Sequence, residues 1–231
     1  QPSDLVADSR GWVVDEAIRR TNYNVDDAII DVRTTWVRSK LDWQITPRWK
    51  LANDLYFYDK FGEWKDAEVY AYSTALGQMT RSTVGITHDH QFYGNRLTLA
   101  SDVTVGGRRN RFTIGIEGNR NDFFGPRRFG MASSVDVFSP DRGSFPVGDT
   151  EANFPGPGNR TDFATTVNLI SVFAEDAFTI APRVTIVSGV RRDHVAFDRR
   201  IDDLNTGVTS EFSDAYDPIS WRTGVVVDAL P

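Results

Sequence analysis

The chain has no cysteine and only two methionines among its 231 residues. Without thiols there is no disulfide framework, no thiolate zinc site and no cysteine nucleophile. Long apolar runs are missing as well. Nothing approaches the roughly 20 consecutive residues that a membrane-spanning helix needs, and no basic-then-apolar stretch of the signal-peptide kind follows Gln1. Positive charge is in deficit, with 26 Lys+Arg against 32 Asp+Glu and a formal net charge of −6. Phosphate backbones need a positive surface, so no nucleic-acid partner is expected. No Gly-x-Ser-x-Gly elbow, phosphate loop or His-Glu-x-x-His motif occurs. The carboxylate pairs Glu175-Asp176 and Asp202-Asp203 are sequence neighbours, which on a strand point to opposite faces and cannot flank one bond. Neither catalysis nor a cofactor is expected.

What the sequence does contain is period-two alternation. In residues 111–119, Phe112, Ile114 and Ile116 point one way, and Arg111, Thr113, Gly115, Glu117 and Asn119 point the other. Residues 35–45 place Val37, Leu41, Trp43 and Ile45 opposite Arg38, Lys40, Asp42 and Gln44. Residues 219–230 repeat the pattern, with Ile219, Trp221, Val225 and Val227 on one side. In residues 184–194, Val184, Ile186 and Val190 oppose Thr185, Gly189, Arg191 and Asp193. Arg192 and His194 then fall on the apolar side, where that strand is expected to leave the hydrocarbon. Strands are predicted near 30–45, 49–60, 81–105, 111–124, 165–180, 184–198 and 217–230.

The connections alternate. Short polar breaks stand at 46–48, 105–110 and 181–183, while long polar loops are predicted at about 61–80, 125–164 and 199–217. Short turns at one end and long loops at the other describe an antiparallel meander whose ends face different surroundings. The expected fold is therefore all-β: about seven antiparallel strands forming part of a transmembrane outer-membrane β-barrel. A barrel must close in lipid, and bacterial single-chain barrels have even strand counts, so residues 1–231 are expected to be an internal piece of a larger barrel. A porin-like channel and a soluble β-sandwich ligand-binding module remain alternatives at this point.

Several segments carry a more specific likeness. They are NYNVDDAI, WVRSKLDWQITPRWKLANDLYFYD, EWKDAEVYAY, RSTVGITHDHQFYGNRLTLASD, NRFTIGIEGNRNDF, VFAEDAFTIAPRVTIVSGVRRDH and WRTGVVVDALP. In this order the chain resembles the barrel portion of TonB-dependent outer-membrane receptors, in particular the siderophore-receptor branch. The resemblance implies a barrel of about 22 strands with a plugged lumen, located in the bacterial outer membrane, that imports ferric siderophores or a similar scarce nutrient. It implies the TonB complex, reached through a plug domain, and outer-membrane lipid as partners. The plug, its energy-coupling box and the C-terminal strands would lie outside this sequence. The family often carries an aromatic residue where Arg192 stands.

Candidate ligand contacts are Arg127 and Arg128, at the top of a strand leading into the longest loop, because arginine offers forked, permanently charged donors to anionic groups. Trp64, Tyr70 and Tyr72, which flank an outer loop, are further candidates against a bland reading as interfacial packing. Trp43, Trp49 and Trp221 read as outer-wall residues. His88 and His90 share a face, as two metal ligands would, but no third ligand is near in sequence, and no metal site is expected.

Overall fold

The computed structural model describes residues 5–8 and 11–228, with side chains from Asp15 onward. Residues 229 and 230 of the last predicted strand lie outside the described residues. A small antiparallel hairpin, β1 (Leu5–Asp8) and β2 (Gly11–Val14), precedes the main sheet. That sheet contains β3 (Ile29–Thr46), β4 (Trp49–Ser73), β5 (Gln78–Val105), β6 (Arg108–Phe124) and β7 (Arg127–Val135). It continues with β8 (Arg160–Ala181), β9 (Val184–Asp203), β10 (Val208–Tyr216) and β11 (Ile219–Val227).

All pairings are antiparallel. β6 and β7 pair successive stretches of β5, and β11 and β10 pair successive stretches of β9. Each couple is thus one long stave interrupted at a proline. The ladder is carried across the break by Thr87 donating to the carbonyl of Pro126 and Asp193 donating to that of Pro218. Counted this way the sheet has seven staves, in sequence order.

The strands run further than the sequence indicated. Residues 61–73, 78–80 and 199–203 are strand, as is all of β10, so two of the three long connections expected from the sequence are four-residue turns, at 74–77 and 204–207. Of those three, only 136–159 is a long connection. The physical reason lies in the patterning. Beyond the membrane both faces of a strand meet water or other protein, and the apolar/polar alternation that marks a strand disappears. The expected arrangement of ends holds. The turns at Pro47-Arg48, Gly106-Gly107 and Pro182-Arg183 lie at one end, and 74–77, 136–159 and 204–207 at the other. Gly106 and Gly107 both have positive φ, 57° and 76°, the backbone that a two-residue hairpin turn with the strand's own twist requires.

Ladder registers sort the two faces. One row runs Trp43, Leu51, Leu99, Ile114, Ala174, Val190, Trp221 across the sheet. Trp43 is 55% exposed and Trp221 78%. Leaving such a row uncovered in water over the whole sheet would be costly; against hydrocarbon it costs nothing. The opposite face carries Lys40, Asp54, Arg96, Glu117, Ser171 and Asp193 in one row. Here Arg38 Nε donates to Asp54 at 2.7 Å, and Arg191 donates to Glu117 (3.3 Å), Asp193 (2.7 Å) and Ser171 (2.7 Å). Glu175 pairs with Arg222 on this face while Asp176 accepts from Asn110 on the other. Arg192 and His194 stand on the apolar face beyond Val190, both reaching Asp217.

The apolar strip drops along the register from β3 to β9. The row containing Phe57 and Tyr93 continues as Arg120, Asn168 and Ala196. This is the signature of strands tilted to the membrane normal. Among the described residues β3 pairs only with β4, and β10 and β11 only with β9. The sheet is a segment of a larger transmembrane barrel.

On the polar face Gly94 lies under Tyr56, and a Cβ there would come within 2.6 Å of the Asn119 Cβ and 2.7 Å of the Gly118 carbonyl oxygen. Gly94→Val is expected to destabilise the wall by about 1–3 kcal/mol. The check is a smaller fraction of full-length protein migrating as the folded, heat-modifiable form in an unboiled gel.

Among the described residues the only compact core lies at the outer end. Residues 15–28 and 136–159 fold against the upper strands and bury Ile18, Tyr23, Val25, Ala67, Met79, Val135, Phe145 and Phe154 among the described residues. On β5 the buried positions Met79, Arg81 and Thr83 have the parity of Leu97 and Leu99. The collar therefore sits on the outward side of the strand extensions, not across the mouth. Arg81, 1% exposed, is its centre: it donates to the carbonyls of Tyr23 (2.8 Å), Arg142 (3.0 Å) and Ser133 (3.0 Å).

Candidate functional site

Above the membrane the inner face changes from ion pairs to aromatic rings. One row reads Lys60, His90, Phe123, Thr165, Arg199 across β4, β5, β6, β8 and β9. Two rungs further out stand Trp64, Ile86, Arg127 and Thr161. The rings form a continuous edge-to-face chain. Trp36 meets Tyr58 at 5.5 Å, Tyr58 meets His90 at 6.3 Å, and His90 meets Phe123 at 5.4 Å. Phe123 then meets His88 at 5.1 Å, and His88 meets Trp64 at 4.9 Å. Cations flank it. The guanidiniums of Arg127 and Arg199 both lie over the ring of Phe163, 4.7 and 5.0 Å from its centroid, within the range of a favourable cation–π contact.

Burial, and then the charges of Arg127 and Lys60, hold His88 below the ordinary imidazole range. At neutral pH it is an uncharged ring suited to packing. Among the described residues no group of three or more His, Cys, Asp or Glu side chains is set to hold a metal ion. Asp89, between the two histidines, points to the other face.

The five sequence candidates separate. Trp64 and Arg127 join the inner wall. Arg128, the next residue on the strand, turns outward and is fully engaged. It donates to Asp149 and Asp162, each at 2.8 Å, and to the carbonyls of Arg127 and Thr161, each at 2.9 Å. Tyr70 and Tyr72 have the same sequence parity as Trp64, but a β-bulge between Ala67 and Val69 reverses the faces. Tyr70 consequently packs beside Tyr23 in the collar, ring centroids 6.1 Å apart, with its hydroxyl donating to the Ala67 carbonyl. Tyr72 lies half exposed in the row of Met79. Sequence reasoning missed Phe163 and Arg199. Counting by twos from Glu175 and Arg191 would have placed both on the inner face.

Residues 3–231 match the family model described as TonB dependent receptor-like, beta-barrel. The chain belongs to that family. As a TonB-dependent receptor barrel it is an outer-membrane receptor component and not an enzyme. Solved structures agree in fold. The siderophore receptor PiuA from Acinetobacter baumannii is 15% identical with a TM-score of 0.71, and the match covers 90% of this chain and 32% of PiuA. The ferric-catecholate import receptor Fiu from E. coli K12, in its closed form, is 13% identical with a TM-score of 0.74, again over 90% of this chain and 32% of that one. BauA, the ferric preacinetobactin receptor of A. baumannii, is 10% identical with a TM-score of 0.61, covering 87% and 29%. No curated protein matches the chain. This TonB-dependent receptor barrel thus spans about a third of the length of the receptors it superposes on.

Proposed function

We propose that these residues form part of the wall and outer collar of a receptor that imports ferric siderophores across the outer membrane by TonB-coupled active transport. In this reading residues 1–231 are a partial barrel domain, and the parent chain supplies the plug and the remaining strands. The observation that carries the proposal is the inner wall at the outward end, where neutral aromatic rings stand next to permanently charged guanidiniums. Iron chelates carry organic ligand at their surface, which such rings can pack against, and many retain negative charge, which arginine receives with forked donors. PiuA and Fiu, similar in fold, are described as a siderophore receptor and a ferric-catecholate import receptor. Trp64 and Arg127 contact the ligand, together with His88 and Phe123. Arg128, Tyr70 and Tyr72 fix the collar that holds the strand ends in place.

The test is radiolabelled iron uptake in iron-starved cells that carry the intact receptor as their sole route for the supplied chelate. Uptake is expected to fall to background when TonB is deleted or the proton gradient is collapsed. Uptake that persists without TonB is what a passive porin-like channel would give, and it would refute the proposal.

A further inference from the structure

Most arginines of the sheet are neutralised. Arg38, Arg120, Arg128, Arg191, Arg200 and Arg222 each hold a carboxylate. Arg127 and Arg199 differ. Among the described residues neither forms an ion pair, and both lie over the ring of Phe163. Lower on the same face Arg96 is also unpaired, but it shares the ring of Phe173 with Arg191, which is neutralised. The Nε of Arg199 is also buried without a hydrogen-bond partner, a state that costs free energy unless something else satisfies it. In a chain with net charge −6, two unneutralised cations held on one ring make a local positive site. Its neighbours on the same face are the rings of Phe123, His88 and Trp64 and the ammonium of Lys60. Polar groups fixed in advance where opposite charge will arrive favour an anionic ligand, since little reorganisation is left to pay for on binding.

We propose that Arg127 and Arg199, clamped on Phe163, determine specificity for an iron complex that keeps net negative charge and presents flat aryl rings. This rests on the uptake reading above and narrows it. Catecholate donors bring more negative charge than the ferric ion cancels, so their complex stays anionic. Hydroxamate donors match the ferric charge, and their complex is neutral and largely non-aromatic. The clamp favours the first class over the second.

The experiment uses the purified full-length receptor and two probes, a ferric hexadentate tricatecholate and a ferric hexadentate trihydroxamate. Wild type should bind the tricatecholate markedly more tightly, and higher salt should weaken that binding. Arg127→Ala and Arg199→Ala should each raise its Kd roughly 10-fold or more, while Arg127→Lys and Arg199→Lys retain part of the affinity. Phe163→Leu, which removes the shared ring but no charge, should give an intermediate loss. Arg108→Ala, at a turn on the opposite end of the strands, makes the same charge change and should leave both affinities unaltered. Heat-modifiable migration confirms that each variant is folded. Equal wild-type affinity for the two complexes, or an unchanged tricatecholate Kd in the folded double alanine variant, would overturn the clamp and leave the uptake reading standing. Failure of the intact receptor to bind or import either complex would sink both.

Discussion

Replacing Arg81 by alanine should release the outer collar while leaving the membrane wall folded. Arg81 is almost fully buried and its guanidinium joins three separate pieces of chain, namely residues 15–28, β7 and the connection 136–159. Burial lowers its pKa from the usual arginine value, yet arginine remains charged in proteins. The charge is offset by three carbonyls, and among the described residues no carboxylate stands within ion-pairing distance. Removing the guanidinium deletes three charge-assisted hydrogen bonds, leaves one buried and two partly buried carbonyls to find new donors and opens a cavity. Each such loss is worth about 1–3 kcal/mol, so a collar destabilised by about 4 kcal/mol is expected. Limited proteolysis of full-length receptor on intact cells reads this directly. Cleavage within 136–159 should accelerate by roughly 100-fold or more, because it follows the population of the opened form. Arg81→Lys, with a compact ammonium in place of a planar fork, should rescue only in part. A cleavage rate equal to wild type would show that the collar does not depend on this side chain.

Asp149→Asn should loosen the same connection by another route, and its effect should depend on pH. Asp149 accepts from Arg128 and Arg160, both at 2.8 Å, and those arginines are only 15% and 14% exposed. Burial pushes the Asp149 pKa up, but the hydrogen bonds from Arg128 and Arg160 outweigh it and hold the group below the usual carboxylate range. A depressed folded-state pKa contributes stability that is present above the unfolded carboxylate value and lost as pH falls through the folded one. Wild-type residues 136–159 are therefore expected to stay protected at neutral and mildly acidic pH, and to open in stronger acid. The asparagine variant should be looser at neutral pH by about 1–2 kcal/mol, a figure discounted because Asp149 itself is nearly half exposed. It should also lack the acid-dependent slope across that window. Hydrogen exchange of these residues at several pH values makes the comparison, and identical slopes in both proteins would show that Asp149 is not the titrating tie.

How much of this was legible in the sequence follows from where lipid touches the chain. Phe112, Ile114 and Ile116 alternate with Arg111, Thr113 and Gly115 because hydrocarbon covers one face and the interior the other, and there every stave could be counted. Above the membrane that contrast ends. Residues 61–73, 199–203 and 208–216 continue as strands in which neither face is uniformly apolar, so they read as loops. The collar was also illegible, since its core joins Val25, Ala67, Phe145 and Phe154 across more than half of the chain. Within the candidate site, Trp64 and Arg127 were accessible through residue chemistry. Phe163 and Arg199 were not, because an arginine gains meaning only from the ring, or from the missing acid, beside it.

The bulge between Ala67 and Val69 has a consequence for how relatives of this protein diverge. Loss of a single codon at Glu68 would restore strict alternation up to the turn at 74–77. The pairs Val69–Ser82, Tyr70–Arg81 and Tyr72–Met79 would all be kept, so Tyr70 and Tyr72 would stay on the collar side and Tyr70 beside Tyr23. One in-frame deletion is thus tolerated at that position without turning a single side chain over, because the residue lost is the one the ladder leaves unpaired.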